Sequence, residues 1–204
     1  MKGKYIVIEG GEGTGKDTQI ALLQKEFSGE QFVYTREPGG TPLGKELRQM
    51  LLFESKGKVF PSTELFLFLS DRAQHVEEVV KPALAADKIV ISNRSWVSFL
   101  AYQIYGREQL EWKPMVDVAL ANIFKEAPID LAVILDLSVN VGRERMKAAG
   151  KSLDAIEKAP IEMHERIRQG FLTVAKEVPS VVIDATPPIE EVWTEVKKAI
   201  QSVL

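Results

Sequence analysis

A three-layer α/β fold, a five-stranded parallel sheet between two layers of helices, follows from three observations on this 204-residue chain. Five short β-branched runs recur along it, and helical periodicity fills the intervals between them. The runs are apolar throughout rather than alternating, as strands buried on both faces are. The chemistry-bearing residues fall just after the runs, and parallel sheets place ligands at the carboxyl ends of their strands.

The elements justify this in order. Tyr5–Glu9 is the first strand, and a Gly-rich turn delivers it to a helix beginning near Gly15. Gln31–Thr35 is the second strand, and helices are expected from Pro42 and Ser62. Lys88–Ser92 is the third, with helices from Ser95 and Lys113. Leu131–Asp136 and Val181–Asp184 complete the sheet, with helices from Val139, Ile161 and Ile189. Right-handed crossovers join such strands. No repeat or Pro/Ser-rich linker interrupts the pattern, so residues 1–204 read as one domain. Its least periodic stretch is about 147–160, with Lys147, Lys151 and Lys158. That stretch is either a mobile basic lid or a solvated connection between helices.

Composition narrows the function. Net charge is −3, with 45% hydrophobic and 27% charged residues, so nothing draws the chain to nucleic acid or an anionic membrane. No cysteine and only two histidines leave no thiolate or His-rich metal site. No signal peptide opens the sequence and no apolar run approaches a membrane span. A cytoplasmic protein is expected.

The turn after the first strand reads Gly10, Gly11, Glu12, Gly13, Thr14, Gly15, Lys16, Asp17, Thr18. Its glycines allow consecutive N–H groups to curl around an anion. The helix N-terminus adds partial positive charge, and Lys16 reaches outer phosphates. This is a P-loop with one departure. The residue after the lysine, ordinarily a hydroxyl that holds Mg²⁺, is Asp17. A second departure lies at the end of the third strand, where Asn93 stands in place of an acid. Asp17 is read as a Mg²⁺ ligand and Asn93 as one acting through water, the carboxylate having moved from strand end to loop. Two independent drifts in a less active protein would leave the same residues. Arg94 is a candidate clamp for a phosphoryl group, since its planar fork matches phosphate oxygens. Arg36-Glu37-Pro38-Gly39-Gly40-Thr41 is first a turn, and Glu37 is a candidate wall of an acceptor site. Phe68 and Arg72 share a helix face at i, i+4, so a planar base could stack on the ring while the guanidinium bonds its edge. His75 and His164 are read as structural.

Together with Asp71-Arg72-Ala73-Gln74-His75, Asn93-Arg94, Ala101-Tyr102-Gln103 and Val141-Gly142-Arg143-Glu144-Arg145, these motifs resemble the thymidylate kinase family, from about Tyr5 to the last helix. The resemblance implies an NMP-kinase type of P-loop fold, often homodimeric. It implies a phosphotransferase that moves the γ-phosphoryl of ATP to dTMP, giving dTDP and ADP in dTTP biosynthesis, with Mg²⁺ as cofactor. It further implies that Gly10–Thr18 wraps the ATP phosphates and that Glu12 meets the sugar hydroxyl of dTMP. Phe68 would stack on thymine, Arg72 bond its carbonyl edge, and Arg48 and Arg94 hold the acceptor phosphate. Tyr102 would crowd the 2′ position, Gln103 lie near the base, and Arg143 and Arg145 sit on the adenine side.

The chain departs from its relatives elsewhere too. Phe99 stands where a small polar residue usually flanks the base. Ala155 and Gly13 stand at the two positions where relatives carry an arginine over the phosphates, so Lys147 or Lys151 is the expected substitute. The catalytic set is then Lys16, Arg94 and Asp17, acting on charge, with lid closure excluding water. A non-catalytic nucleotide-binding protein, or a kinase of another monophosphate such as dUMP, are the alternatives these departures leave.

Overall fold

The structure is a computed structural model that describes residues 3–52, 59–150 and 159–204. Five strands, β1 (Lys4–Gly10), β2 (Phe32–Arg36), β3 (Ile89–Asn93), β4 (Leu131–Asp136) and β5 (Ser180–Asp184), form one sheet in the order β2-β3-β1-β4-β5. Every pairing is parallel. The helices are α1 (Lys16–Glu26), α2 (Pro42–Leu52), α3 (Pro61–His75), α4 (Lys81–Ala85), α5 (Trp96–Phe99), α6 (Lys113–Ile123), α7 (Val139–Ala148), α8 (Ile161–Val174) and α9 (Ile189–Gln201).

The period-2 alternation of β1 divides the core. Tyr5 and Val7 join one apolar cluster with residues of α3, α6, α8 and the segment after α5. Ile6 and Ile8 join the other, under Leu23 of α1 and Val192, Val196 and Ile200 of α9. All four strand residues have no exposed surface, and burying each contributes about 1.5–3 kcal/mol. Both faces being covered explains why the runs carry no polar alternation.

Two helices contain π-helical turns that periodicity did not anticipate. Val76–Val80 links α3 to α4, just before Pro82, which has no N–H to donate one turn back. Leu100–Gly106 continues α5 and carries Tyr102 and Gln103. One extra residue per turn rotates the later part of the helix, so these side chains face the sheet's carboxyl edge at an angle a regular helix would not give. Among the described residues no helix is long and apolar enough to cross a membrane. Of the stretch read as a lid, residues 151–158, including Lys151, Ala155 and Lys158, lie outside the described residues.

Candidate active site

The carboxyl ends of β1, β2 and β3 open on one cavity of about 550 Å³. In register, Ile8 faces Asn93 and Asn93 faces Arg36, so the loops after these strands start level with one another. The cavity is lined by Glu12–Gln19 from the loop and α1, by Arg36–Pro38, and by Arg48 of α2. Phe68 and Arg72 of α3, Asn93–Arg94, Ser98, Phe99, Tyr102 and Gln103 line it too, on the side expected from the sequence to take the acceptor, as does Arg145 of α7.

The loop's path requires glycine at Gly13. Its φ is +73°, and a Cβ there would stand 2.3 Å from the carbonyl oxygen of Gly142. The loop therefore presses directly on α7, and no side chain, arginine included, fits at position 13. Lys16 is 8% exposed, with Nζ donating to the Gly11 carbonyl at 2.6 Å and to Thr14 Oγ1 at 3.3 Å. Burial and the charge of Arg94 lower its pKa to about 8, against the pull of Glu12, Asp17 and Glu9.

Arg94 links the loop to the acceptor side. Its φ is +72°. Nη1 donates to the Gly10 carbonyl at 3.2 Å and to Ser98 Oγ at 3.0 Å, and Nη2 to Glu12 Oε1 at 2.8 Å. The guanidinium lies 4.9 Å from the ring centroid of Tyr102, whose hydroxyl also donates to Glu12 Oε1. Burial pushes the Glu12 carboxyl up, but the charges of Arg94 and Lys16 and the Tyr102 hydroxyl outweigh it and hold the pKa at about 2. Below this group lies Glu9, with no exposed surface. Its carboxylate accepts from the hydroxyls of Ser95 and Ser98, and burial raises its pKa against those bonds. Sequence reasoning passed over Glu9, Ser95 and Ser98. The one available signal was an acid closing an otherwise apolar strand.

The two departures from the phosphate-loop pattern touch. Asn93 Nδ2 donates to Asp17 Oδ1 at 2.8 Å, and Asp17 is exposed in the first turn of α1. No cluster of three or more His, Cys, Asp or Glu able to hold a metal occurs among the described residues. One carboxylate beside an amide fits Mg²⁺, which takes one or two protein carboxylates and completes its shell from phosphate and water.

On the acceptor side, the Arg72 guanidinium stands 5.7 Å from the Phe68 centroid and 4.9 Å from that of Phe99. Nη1 donates to the Phe68 carbonyl and Nη2 to the Ser95 carbonyl, at 3.0 and 3.1 Å. Glu37 lines the cavity with its carboxylate engaged rather than free. It is 1% exposed, 3.2 Å from Arg72 Nε and 2.8 Å from His75 Nδ1, and His75 Nε2 lies 2.7 Å from Thr35 Oγ1. The carboxylate thus braces Arg72 from behind. Arg48 Nη1 donates to the Pro38 carbonyl at 3.2 Å. Gln103 is 1% exposed, and its buried Oε1 has no hydrogen-bond partner.

Arg143 and Arg145 do not act as a pair. Two residues apart on α7, they point about 200° apart around the axis. Arg145 lines the main cavity, with Nη1 on the Ala185 carbonyl at 2.8 Å and Nη2 on the Thr186 carbonyl at 3.0 Å. Arg143 is exposed and borders a separate pocket of about 30 Å³ with Glu12, Asp136, His164 and Arg168.

A parallel sheet with a phosphate-gripping loop on its central strand, and an aromatic slot across one cleft, defines a P-loop nucleoside monophosphate kinase fold. Comparison with known proteins gives the family. Residues 8–196 match the family model described as thymidylate kinase. The thymidylate kinases of Carboxydothermus hydrogenoformans and Pelotomaculum thermopropionicum are 40% and 42% identical, over all of this chain and 99% and 95% of theirs. The crystal structure of thymidylate kinase from Ehrlichia chaffeensis superposes with a TM-score of 0.77 at 29% identity, covering 98% of this chain and 100% of that one. The chain belongs to the thymidylate kinase family.

Proposed function

We propose that the protein transfers the γ-phosphoryl group of ATP to dTMP, releasing ADP and dTDP, a step toward dTTP. The observation that carries this reading is one cavity lined both by Glu12–Thr18 of the loop and by Phe68 and Arg72, with Arg94 among the residues that line it. The loop's N–H groups and Lys16 bind the donor phosphates. Arg94 and Arg48 hold the acceptor phosphate, Phe68 stacks on thymine with Gln103 beside it, and Arg72, braced by Glu37, donates to the base edge. Glu12 receives the sugar 3′-hydroxyl, and Tyr102 packs where a 2′-hydroxyl would stand.

The bond between the γ-phosphorus and its bridging oxygen to ADP breaks as a dTMP phosphate oxygen bonds to that phosphorus. The acceptor is already an anion, so no proton has to be removed first. Catalysis consists of in-line placement and charge neutralisation. Arg94, tied to the loop and to Glu12, is placed to neutralise the moving group. Lys16 neutralises the outer donor oxygens. Asp17, with Asn93 through water, would hold Mg²⁺, which when bound supplies further neutralisation of phosphate charge. Against the non-catalytic alternative stands the full-length similarity to thymidylate kinases.

A single domain, a cytoplasmic location and a homodimer belong to the same reading. Phe66, Leu110 and Val118, 48%, 57% and 64% exposed on or beside the adjoining α3 and α6, are the apolar side chains this reading assigns to contact with a second copy. The test of function is a coupled assay of ADP release with ATP and dTMP. Turnover with dTMP exceeding that with dUMP is expected, and no dTDP with either Mg²⁺ or Mn²⁺ would contradict the proposal.

A further inference from the structure

Glu9 has no exposed surface, yet it belongs to β1, the strand that delivers the phosphate loop. A buried carboxylate is costly unless it is hydrogen-bonded, so its partners say what it is for. Oε1 accepts from the Ser95 hydroxyl at 2.6 Å, and Oε2 accepts from the Ser98 hydroxyl. Each hydroxyl also accepts a hydrogen bond whose direction cannot reverse. Ser95 Oγ takes the Val97 N–H at 3.1 Å, and Ser98 Oγ takes Arg94 Nη1 at 3.0 Å. Their own protons are thereby left for Glu9, which as an ionised carboxylate only accepts.

The two hydroxyls lead to the two cations of the acceptor side. Through Ser98, Glu9 reaches the Arg94 guanidinium. Through Ser95 it reaches Arg72, because the Ser95 carbonyl accepts from Arg72 Nη2 at 3.1 Å. Arg94 directly follows β3 and Arg72 belongs to α3, so their separation is set between elements rather than within one. We propose that Glu9 is a positioning residue for the acceptor: through Ser95 and Ser98 its carboxylate fixes the Arg94 and Arg72 guanidiniums relative to each other, and so sets where dTMP lies. The proposal rests on the reading that Arg94 holds the acceptor phosphate and Arg72 the base edge. Glu9 itself is sealed from solvent and acts on dTMP only through these residues. Phosphoryl transfer depends on in-line placement, and a displacement of about 1 Å costs on the order of 100-fold.

The experiment measures kcat and KM for dTMP and for ATP, with titration calorimetry of dTMP in the absence of ATP. The variants are Glu9→Gln, Ser98→Ala, Ser95→Ala and the double change Glu9→Gln with Ser98→Ala. The amide of Glu9→Gln keeps the shape of the side chain but accepts through one atom only. It is expected to lower kcat/KM for dTMP by about 100-fold, with KM for ATP moving by less than about threefold. Ser98→Ala, which releases Arg94, should act mainly on kcat. Ser95→Ala, which loosens the route to Arg72, should act mainly on KM for dTMP. Because Glu9 reaches Arg94 through Ser98, the double variant should lose little more kcat than Glu9→Gln alone. Losses that multiply in the double variant, or a KM for ATP that rises with that for dTMP, would overturn the proposal. Should Glu9→Gln fail to fold, the serine variants carry the test, and kcat and KM for dTMP within about threefold of wild type in both would overturn it. If the variants weaken dTMP binding yet the wild type phosphorylates nothing, the positioning role stands and the kinase reading fails. If the wild type turns over dTMP and the variants match it, the reverse holds.

Discussion

Lys16 is a buried cation whose charge responds to pH just above neutrality. Its pKa of about 8 in the folded protein lies below the ordinary 10.5. Below pH 8 the ammonium is charged in both folded and unfolded chains, and its burial is a constant cost. Between about 8 and 10.5 the unfolded chain holds more protons, so this group's contribution to stability rises with pH. Binding works in the opposite direction, because phosphate favours the charged amine. ATP affinity is therefore expected to fall as pH rises through 8, with net proton uptake on binding. Calorimetry in buffers of different ionisation enthalpy measures that uptake, and its absence at pH 8 would contradict the assignment. Glu12, at about 2, stays ionised across the same range and should contribute no acid limb. The contact between Asp17 and Asn93 makes a separate prediction. Asp17→Ser should weaken Mn²⁺ binding to the ATP complex by about tenfold or more, and adding Asn93→Asp should restore it, as read by electron paramagnetic resonance. A double variant as weak as the single one would leave the pair without a metal role. Phe99 in turn packs against Arg72 at 4.9 Å. Its change to Ala is expected to raise KM for dTMP by about tenfold while kcat moves little. An unchanged KM would show that Arg72 needs no such support.

The contact between the phosphate loop and α7 is the packing on which the site most depends. At position 13 a methyl group would stand 2.3 Å from backbone oxygen, and the φ there already excludes ordinary side chains. Gly13→Ala should thus leave a folded protein whose loop is displaced, with kcat/KM down by about 100-fold or more. Near-normal turnover would mean that α7 yields easily. The elements themselves were largely legible in the sequence. Strands predicted at Tyr5–Glu9 and Leu131–Asp136 occur at Lys4–Gly10 and Leu131–Asp136, because a strand buried on both faces writes itself as an unbroken apolar run. The loop residues Glu12–Asp17 and Asn93–Arg94 line the cavity and could be singled out because they come directly after such runs. The features that stayed hidden depend on three-dimensional closure. Glu37 lines the cavity, and what the sequence leaves out is that its carboxylate is held by Arg72 and His75, from a helix more than thirty residues away. Arg143 and Arg145 read as neighbours until the helix turns them apart. The π-helical turn that aims Tyr102 and Gln103 has no signature in local composition.

The whole molecule is a two-faced sheet with the Gly-rich loop on its central strand and Phe68 and Arg72 lining the same cavity from a flanking helix. Both clusters of the core converge on β1, so the loop is anchored by the most buried strand in the protein. Phe66 is exposed on the face of α3 that points away from the buried Phe68, about 200° around the same helix. Sedimentation is expected to show a dimer, and Phe66→Glu a monomer; a wild-type monomer would remove the dimer from the account. The most direct test is a crystal structure with dTMP and a non-hydrolysable ATP analogue together. The account predicts analogue phosphates within hydrogen-bond reach of the Gly11–Thr18 amides and the dTMP phosphate on Arg94, its base against Phe68. Either nucleotide bound elsewhere, with that cleft filled by solvent, would contradict it.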